Sequence, residues 1–297
     1  MDQAQNLRNI VKMAPQKEEE KKARVITVTS GKGGVGKTST AINLAIQFRL
    51  QGKSVIIFDA DFGLANIEVM FGAIPKYNLS DLVFRGKNLK DIIVKGPMDI
   101  GFVSGGSGIT SFSNLSKDQI MYLVYKIKEL ESMTDILIID TGAGISDSVL
   151  DFVVISNEVV LVMTPEPTSM TDSYSLLKAL SRHGDFKNDA TNVKIMTNKV
   201  SSYEEGVNLY NKINVVVSKF LNMNIEFLGI VEEDEYMSKA IIQQKPISIV
   251  FPNSKGAKSF QKIAGNLLDI KTPEQDEEKG LMYMFLKKFR KNKGGGA

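Results

Sequence analysis

Val25-Ile26-Thr27-Val28-Thr29-Ser30-Gly31-Lys32-Gly33-Gly34-Val35-Gly36-Lys37-Thr38 is the stretch from which the fold is read. A β-branched run of strand length passes without interruption into a glycine-rich loop, and a helical pattern over Lys37–Gln51 opens directly after it. The loop spells G-x-x-x-x-G-K-T, the Walker A spacing, in the strand-to-helix setting that the motif requires. Its glycines let backbone N–H groups converge on a polyphosphate, and the helix N-terminus adds a positive dipole. Gly33, Gly34, Val35, Gly36, Lys37, Thr38 and Ser39 are therefore the expected nucleotide cradle. Lys37 neutralises the β/γ-phosphates, and the Thr38 hydroxyl faces a Mg²⁺ ion.

Working outward, further short apolar runs stand at Ser54–Phe58, Ile100–Val103, Asp135–Ile139, Val159–Met163, Val193–Thr197 and Ile225–Ile230. Most are continuous rather than alternating, as expected of strands covered on both faces. Helical windows at Ser116–Glu131, Met170–Ser181, Tyr203–Leu221 and Lys255–Leu268 separate them. Strands alternating with helices predict a doubly wound α/β fold, a mostly parallel sheet flanked by helices. Three zones are expected: a polar arm over 1–23, the α/β domain over 24–270, and a tail over 271–297 with an acidic hinge, a basic amphipathic stretch and a glycine end.

Composition narrows the chemistry. The 297 residues contain no cysteine, which excludes disulfides, thiolate zinc sites and cysteine-held iron–sulfur clusters. A formal charge of +3 is too mild to imply nucleic-acid binding by itself. No stretch has the length and apolarity of a signal peptide or a bilayer span, so a cytoplasmic protein with peripheral membrane contact is expected. His183, in Arg182-His183-Gly184-Asp185, reads as a solvated surface residue.

The second loop lysine, Lys32, makes the loop K-G-G-V-G-K-T, which resembles the deviant Walker A of the MinD/ParA ATPases. The resemblance implies a P-loop NTPase of the SIMIBI, MinD-like class, working as an ATP-dependent homodimer in which Lys32 reaches the partner's nucleotide. In Phe58-Asp59-Ala60-Asp61, it assigns Asp61 to switch I, where it orients the attacking water, and Asp59 to the vicinity of the metal. Asp140, followed by Thr141-Gly142-Ala143-Gly144, reads as a Walker B aspartate entering a switch II loop. The expected metal set is Thr38, Asp59 and Asp140, and the expected catalytic set is Lys32, Lys37 and Asp61.

Thr197-Asn198-Lys199-Val200-Ser201 is similar to the N-K-x-D guanine motif without its carboxylate. An Asn amide complements adenine's N6 donor and N7 acceptor, so ATP/ADP with Mg²⁺ is the expected cofactor and Asn198 the base reader. Val231 and Glu232 match the family's other adenine-side loop.

Leu281, Met282, Phe285, Leu286 and Phe289 share one helical face, with Lys287, Lys288, Arg290 and Lys291 mostly opposite. A basic amphipathic helix of this kind reads as an interfacial anchor for anionic lipid on the inner face of the cell membrane. Two such helices in a dimer bind together through effective concentration, which links ATP to membrane residence. Docking of the helix on its own domain is the rival reading.

Asp2-Gln3-Ala4-Gln5-Asn6-Leu7-Arg8 resembles the D-Q-A-x-x-L-R arm of the FlhG family, also called YlxH or FleN, MinD-like ATPases controlling flagellar number and placement. The resemblance implies that Gln3, Leu7 and Arg8 contact FlhF, an SRP-type GTPase that the arm stimulates. It also suggests contact with flagellar basal-body or C-ring proteins. A division-site MinD-type membrane ATPase and a ParA-type DNA-partitioning ATPase are the alternatives.

Overall fold

The computed structural model describes residues 22–61, 66–106, 126–186 and 191–268. Gln3, Leu7 and Arg8 of the arm lie outside the described residues, as do Leu281, Met282, Phe285, Leu286, Lys287, Lys288 and Phe289 of the tail and most of the Ser116–Glu131 window.

Strand β1 (Arg24–Ser30) leads into α1 (Lys37–Leu50). There follow β2 (Val55–Ala60), α2 (Asn66–Phe71), α3 (Leu79–Phe84), α4 (Leu89–Ile92), β3 (Ile93–Lys95) and β4 (Gly101–Val103). The second half comprises β5 (Ile136–Ala143), α5 (Asp147–Ile155), β6 (Glu158–Met163), α6 (Pro167–Ser181), β7 (Asn192–Val200) and α7 (Tyr203–Leu221). It closes with β8 (Ile225–Glu232), α8 (Glu235–Ile242), α9 (Ile247–Val250) and α10 (Lys255–Leu268).

One sheet runs in the order β3-β4-β2-β5-β1-β6-β7-β8, parallel throughout except for β3 against β4. The continuous apolar runs are explained by coverage on both faces. Ile26 and Val28 of β1, Val55 and Ile57 of β2, and Ile136 and Ile138 of β5 enter one core, beneath α1 and α10. Their neighbours Val25, Ile56, Phe58, Leu137 and Ile139 enter the opposite core with α3, α4 and α5. Beyond β1, α6 and α7 cover β6 and β7 on that second face. Period-two alternation is thus present in space although both sets are apolar.

Helix α1 shows almost no apolar sidedness in its sequence because it is buried all round, between the sheet, α9 and α10. Its inward Asn43 is satisfied by donating to the Ser39 carbonyl and accepting from the Ser248 N–H at 3.0 Å. Near the N-terminal ends of β1, β6 and β7, Glu158 accepts from Arg24 and from Lys194 at 2.5 Å, which lets a strand lysine sit wholly inside. His183 is partly buried rather than solvated. It accepts from the Asp185 N–H at 3.3 Å and stands 3.8 Å from Asp151. The short antiparallel β3 is not among the sequence-predicted strands, since three half-covered residues carry no readable period.

Candidate nucleotide site

β1 lies between β5 and β6, while the chain passes from β1 to β2 on one side and from β5 across to β6 on the other. The loop after β1 therefore opens at a point where strand connections diverge, the position at which open α/β sheets bind ligands. Gly34 (φ 76°) and Gly36 (φ 97°) take left-handed conformations there, which glycine adopts at little cost. Gly36 caps α1, whose first turn carries no acidic residue. Its N-terminal N–H groups and dipole thus face the loop unopposed by nearby carboxylates on that turn.

Around this cradle the structure gathers residues widely separated in sequence. Asp59 and Asp140 are direct partners in the parallel register of β2 and β5. Both are buried; Asp59 Oδ1 accepts the Asp61 N–H at 3.1 Å, Asp59 Oδ2 has no hydrogen bond, and Asp140 faces the Thr38 hydroxyl. Burial, reinforced by the Asp140 charge, pushes the Asp59 pKa up to about 9. Burial likewise raises Asp140 to about 7, against the Thr38 hydroxyl and the Lys37 ammonium. Lys37, itself buried, is pulled down by loss of solvent and held up by Asp140 and Asp61.

Asp61 follows β2 and receives the Asn66 amide at 3.3 Å. A Cβ on Gly142 would lie 3.4 Å from its Oδ1, so the segments after β2 and within the end of β5 meet at Asp61. Asp140 lies inside β5, which continues to Ala143, rather than closing the strand as its sequence suggests.

The residues expected on the adenine side arrive from β7 and β8. Asn198 spends one amide N–H on the Val35 carbonyl at 2.7 Å, which leaves its other N–H and its oxygen for a base. Val231 is a core residue, so only its main chain could meet a nucleotide, and Glu232 is 3.3 Å from the Lys255 ammonium. Ser39 contacts Met70. Lys32 is ion-paired with Glu166 of its own chain and donates to the Thr168 hydroxyl at 2.7 Å. Sequence reading missed Glu166, Thr168, Asn66 and Lys199. For Glu166 the available signal was Pro165-Glu166-Pro167 directly after a strand, a turn at the binding edge of the sheet.

The family described as "ParA: NUBPL iron-transfer P-loop NTPase" matches residues 21–268. The chain belongs to the ParA family of P-loop NTPases. Antiactivator FleN of Pseudomonas aeruginosa is 39% identical over 242 residues, 81% of this chain and 85% of that one. Flagellum site-determining protein YlxH of Helicobacter pylori is 30% identical over 246 residues, 82% of each chain. With these two relatives the chain is an ATPase of the FlhG, MinD/ParA type. The structure of septum site-determining protein MinD from Pyrococcus horikoshii, complexed with Mg-ADP, superposes with a TM-score of 0.67 at 24% identity. It covers 83% of this chain and 96% of that one, and shows the same fold. The iron-transfer chemistry in the family's description has no thiolate to use here, because this ParA-family chain contains no cysteine.

Proposed function

We propose that this ATPase is a dimer-forming switch that holds the membrane in its ATP state and sets flagellar number or placement, its arm stimulating the SRP-type GTPase FlhF. One observation carries the ATP half. Asp59 and Asp140 are buried cross-strand neighbours, Asp59 Oδ2 has no hydrogen bond, and the Asp140 charge acts on Lys37 at the N-terminus of α1. Two buried, adjacent carboxyl groups with an unsatisfied oxygen fit a divalent cation shell, and the glycine cradle next to them fits a polyphosphate.

Asp140, Asp59 and the Thr38 hydroxyl would hold the Mg²⁺, and Lys37 with the N–H groups of residues 33–39 would hold the phosphates. Bound Mg²⁺-ATP supplies the reacting phosphoryl group and neutralises its charge. Asp61, steadied by Asn66, orients the attacking water. Asn198 reads the adenine, with the Val231–Glu232 main chain closing that side.

Lys32 acts in trans on the partner's nucleotide, which requires it to leave Glu166 and Thr168. That contact is exposed, and exposed ion pairs are weak, so the neighbouring chain's phosphates can compete for the lysine. The flagellar half rests on the resemblance of Asp2–Arg8 to the FlhG arm and on the similarity to FleN and YlxH. The membrane half rests on the amphipathic pattern of Leu281–Lys291 in the sequence. Among the described residues no helix is long and apolar enough to cross a membrane.

The test is sedimentation of the full chain with anionic liposomes in ATP or ADP, with and without residues 279–293, beside a DNA shift assay. ATP-dependent dimerisation and pelleting that need residues 279–293 are expected. ATP-dependent DNA binding without lipid binding would overturn the membrane reading in favour of a DNA-partitioning ATPase. A peptide of residues 1–23 should stimulate FlhF GTPase activity, and its failure to do so would overturn the partner assignment alone.

A further inference from the structure

Strand β7 departs from regular pairing at one residue next to the site. Asn198 faces Val231 and Val200 faces Glu232, so Lys199 is the extra residue of a bulge. Its φ is +56°, in the left-handed region where a lysine is uncommon. In a regular strand Asn198 and Lys199 would project to opposite faces. Here both side chains return to the phosphate loop. The Asn198 amide donates to the Val35 carbonyl at 2.7 Å, and the Lys199 ammonium donates to the Gly34 carbonyl at 2.9 Å.

Those two acceptors are not incidental. A peptide unit is planar and trans, so fixing the carbonyl of one residue fixes the opposite direction of the next residue's N–H. Tying the Gly34 carbonyl outward turns the Val35 N–H inward, and tying the Val35 carbonyl does the same for the Gly36 N–H. The loop needs such external ties, because Gly34 and Gly36 have no side chains and positive φ. A Cβ at Gly34 would meet nothing within 4 Å, so the turn is held by the buried Val35 side chain and by these two carbonyl ties rather than by packing at Gly34 itself.

We propose that Lys199 is a positioning residue for the polyphosphate, delivered by the β7 bulge to hold the 34–35 peptide with its N–H facing the phosphate site. It touches neither base nor phosphate, and it deepens the reading of residues 31–38 as the polyphosphate cradle. Asn198 ties the adjacent peptide, so the base reader and the loop anchor are consecutive residues of one bulge.

The experiment measures inorganic tripolyphosphate and ADP binding by calorimetry, in the presence of Mg²⁺, to the full chain and to Lys199→Ala, Lys199→Gly and Lys199→Arg. A hydrogen bond from a charged donor at an exposed position predicts about fivefold weaker binding of both ligands to the Ala and Gly variants. Arg, which can donate to the same carbonyl, should recover most of the loss. Glycine accepts the left-handed bulge without strain, so Lys199→Gly should melt no lower than the parent in the absence of ligand.

Unchanged tripolyphosphate affinity in the Gly variant would overturn the proposal. So would a loss confined to ADP, which would mark a base contact, or one that vanishes at high ionic strength, which would mark bulk charge attraction. Failure of the parent protein to bind tripolyphosphate would overturn the cradle itself.

Discussion

At Asp59, burial and the neighbouring Asp140 charge raise the pKa to about 9, so the free protein carries this group protonated at neutral pH. A carboxyl whose folded pKa lies above its unfolded value costs stability as pH rises beyond the unfolded pKa, up to the folded one. Asp59→Asn removes that cost. It should raise the ligand-free stability at pH 7 by about 1–2 kcal/mol in urea melts, while weakening Mg²⁺-dependent nucleotide binding. Glu158 shows the opposite case. Burial pushes its pKa up, but the Arg24 and Lys194 contacts outweigh burial and leave it below its ordinary value. Its stabilisation is present above the unfolded pKa of about 4.3 and lost as pH falls through the lower folded pKa. Glu158→Gln strands the buried Lys194 ammonium and should cost about 3 kcal/mol at pH 7. The gap to the parent should narrow in urea melts taken below about pH 4.

Between elements, the phosphate loop and α6 approach so closely that only glycine fits at the start of the loop. A Cβ on Gly31 would overlap the Asp172 backbone and come within 2.5 Å of the Ser173 nitrogen, whereas one on Gly33 would meet nothing within 4 Å. Gly31→Ala should therefore destabilise the fold by about 1–3 kcal/mol and displace the loop from α6. Gly33→Ala, free of any such clash, should melt close to the parent, and paired thermal melts with and without nucleotide separate the two. The closeness has a use, since α6 begins beside Glu166 and Thr168, the residues that hold Lys32. A shift of α6 is thereby felt by the lysine assigned to the partner's nucleotide.

For the whole molecule, the site joins β1, β2, β5, β6 and β7 at one edge of the sheet, so nucleotide binding stabilises the fold as a unit. A ligand at one hundred times its Kd adds about 2.7 kcal/mol. Mg²⁺-ADP at that excess should raise the melting temperature measurably, and Lys37→Ala should remove the increase at the same ligand concentration. In the core beneath α1, α10 buries Phe260 completely. Phe260→Ala should cost about 3–5 kcal/mol by chemical denaturation.

The sequence alone determined what depends on near neighbours. Gly31–Thr38 specify their own geometry, because a strand, glycines with free φ and a helix start are all written within fourteen residues. The buried strands were legible for the same kind of reason, since full coverage on both faces leaves a continuous apolar run. What the tertiary structure decided is whatever needs two strands to be defined. Asp59 and Asp140 become a coupled pair only through the register of β2 on β5, 81 residues apart. Lys199 was legible as the lysine of an N-K pair and no more. Its bulge exists only relative to β8, and its acceptor is a glycine carbonyl 165 residues away. Likewise Glu166 meets Lys32 across 134 residues of chain. Local chemistry fixes a loop's shape, but which distant side chain ties that loop down is set by strand pairing, and pairing is settled only when the whole sheet assembles.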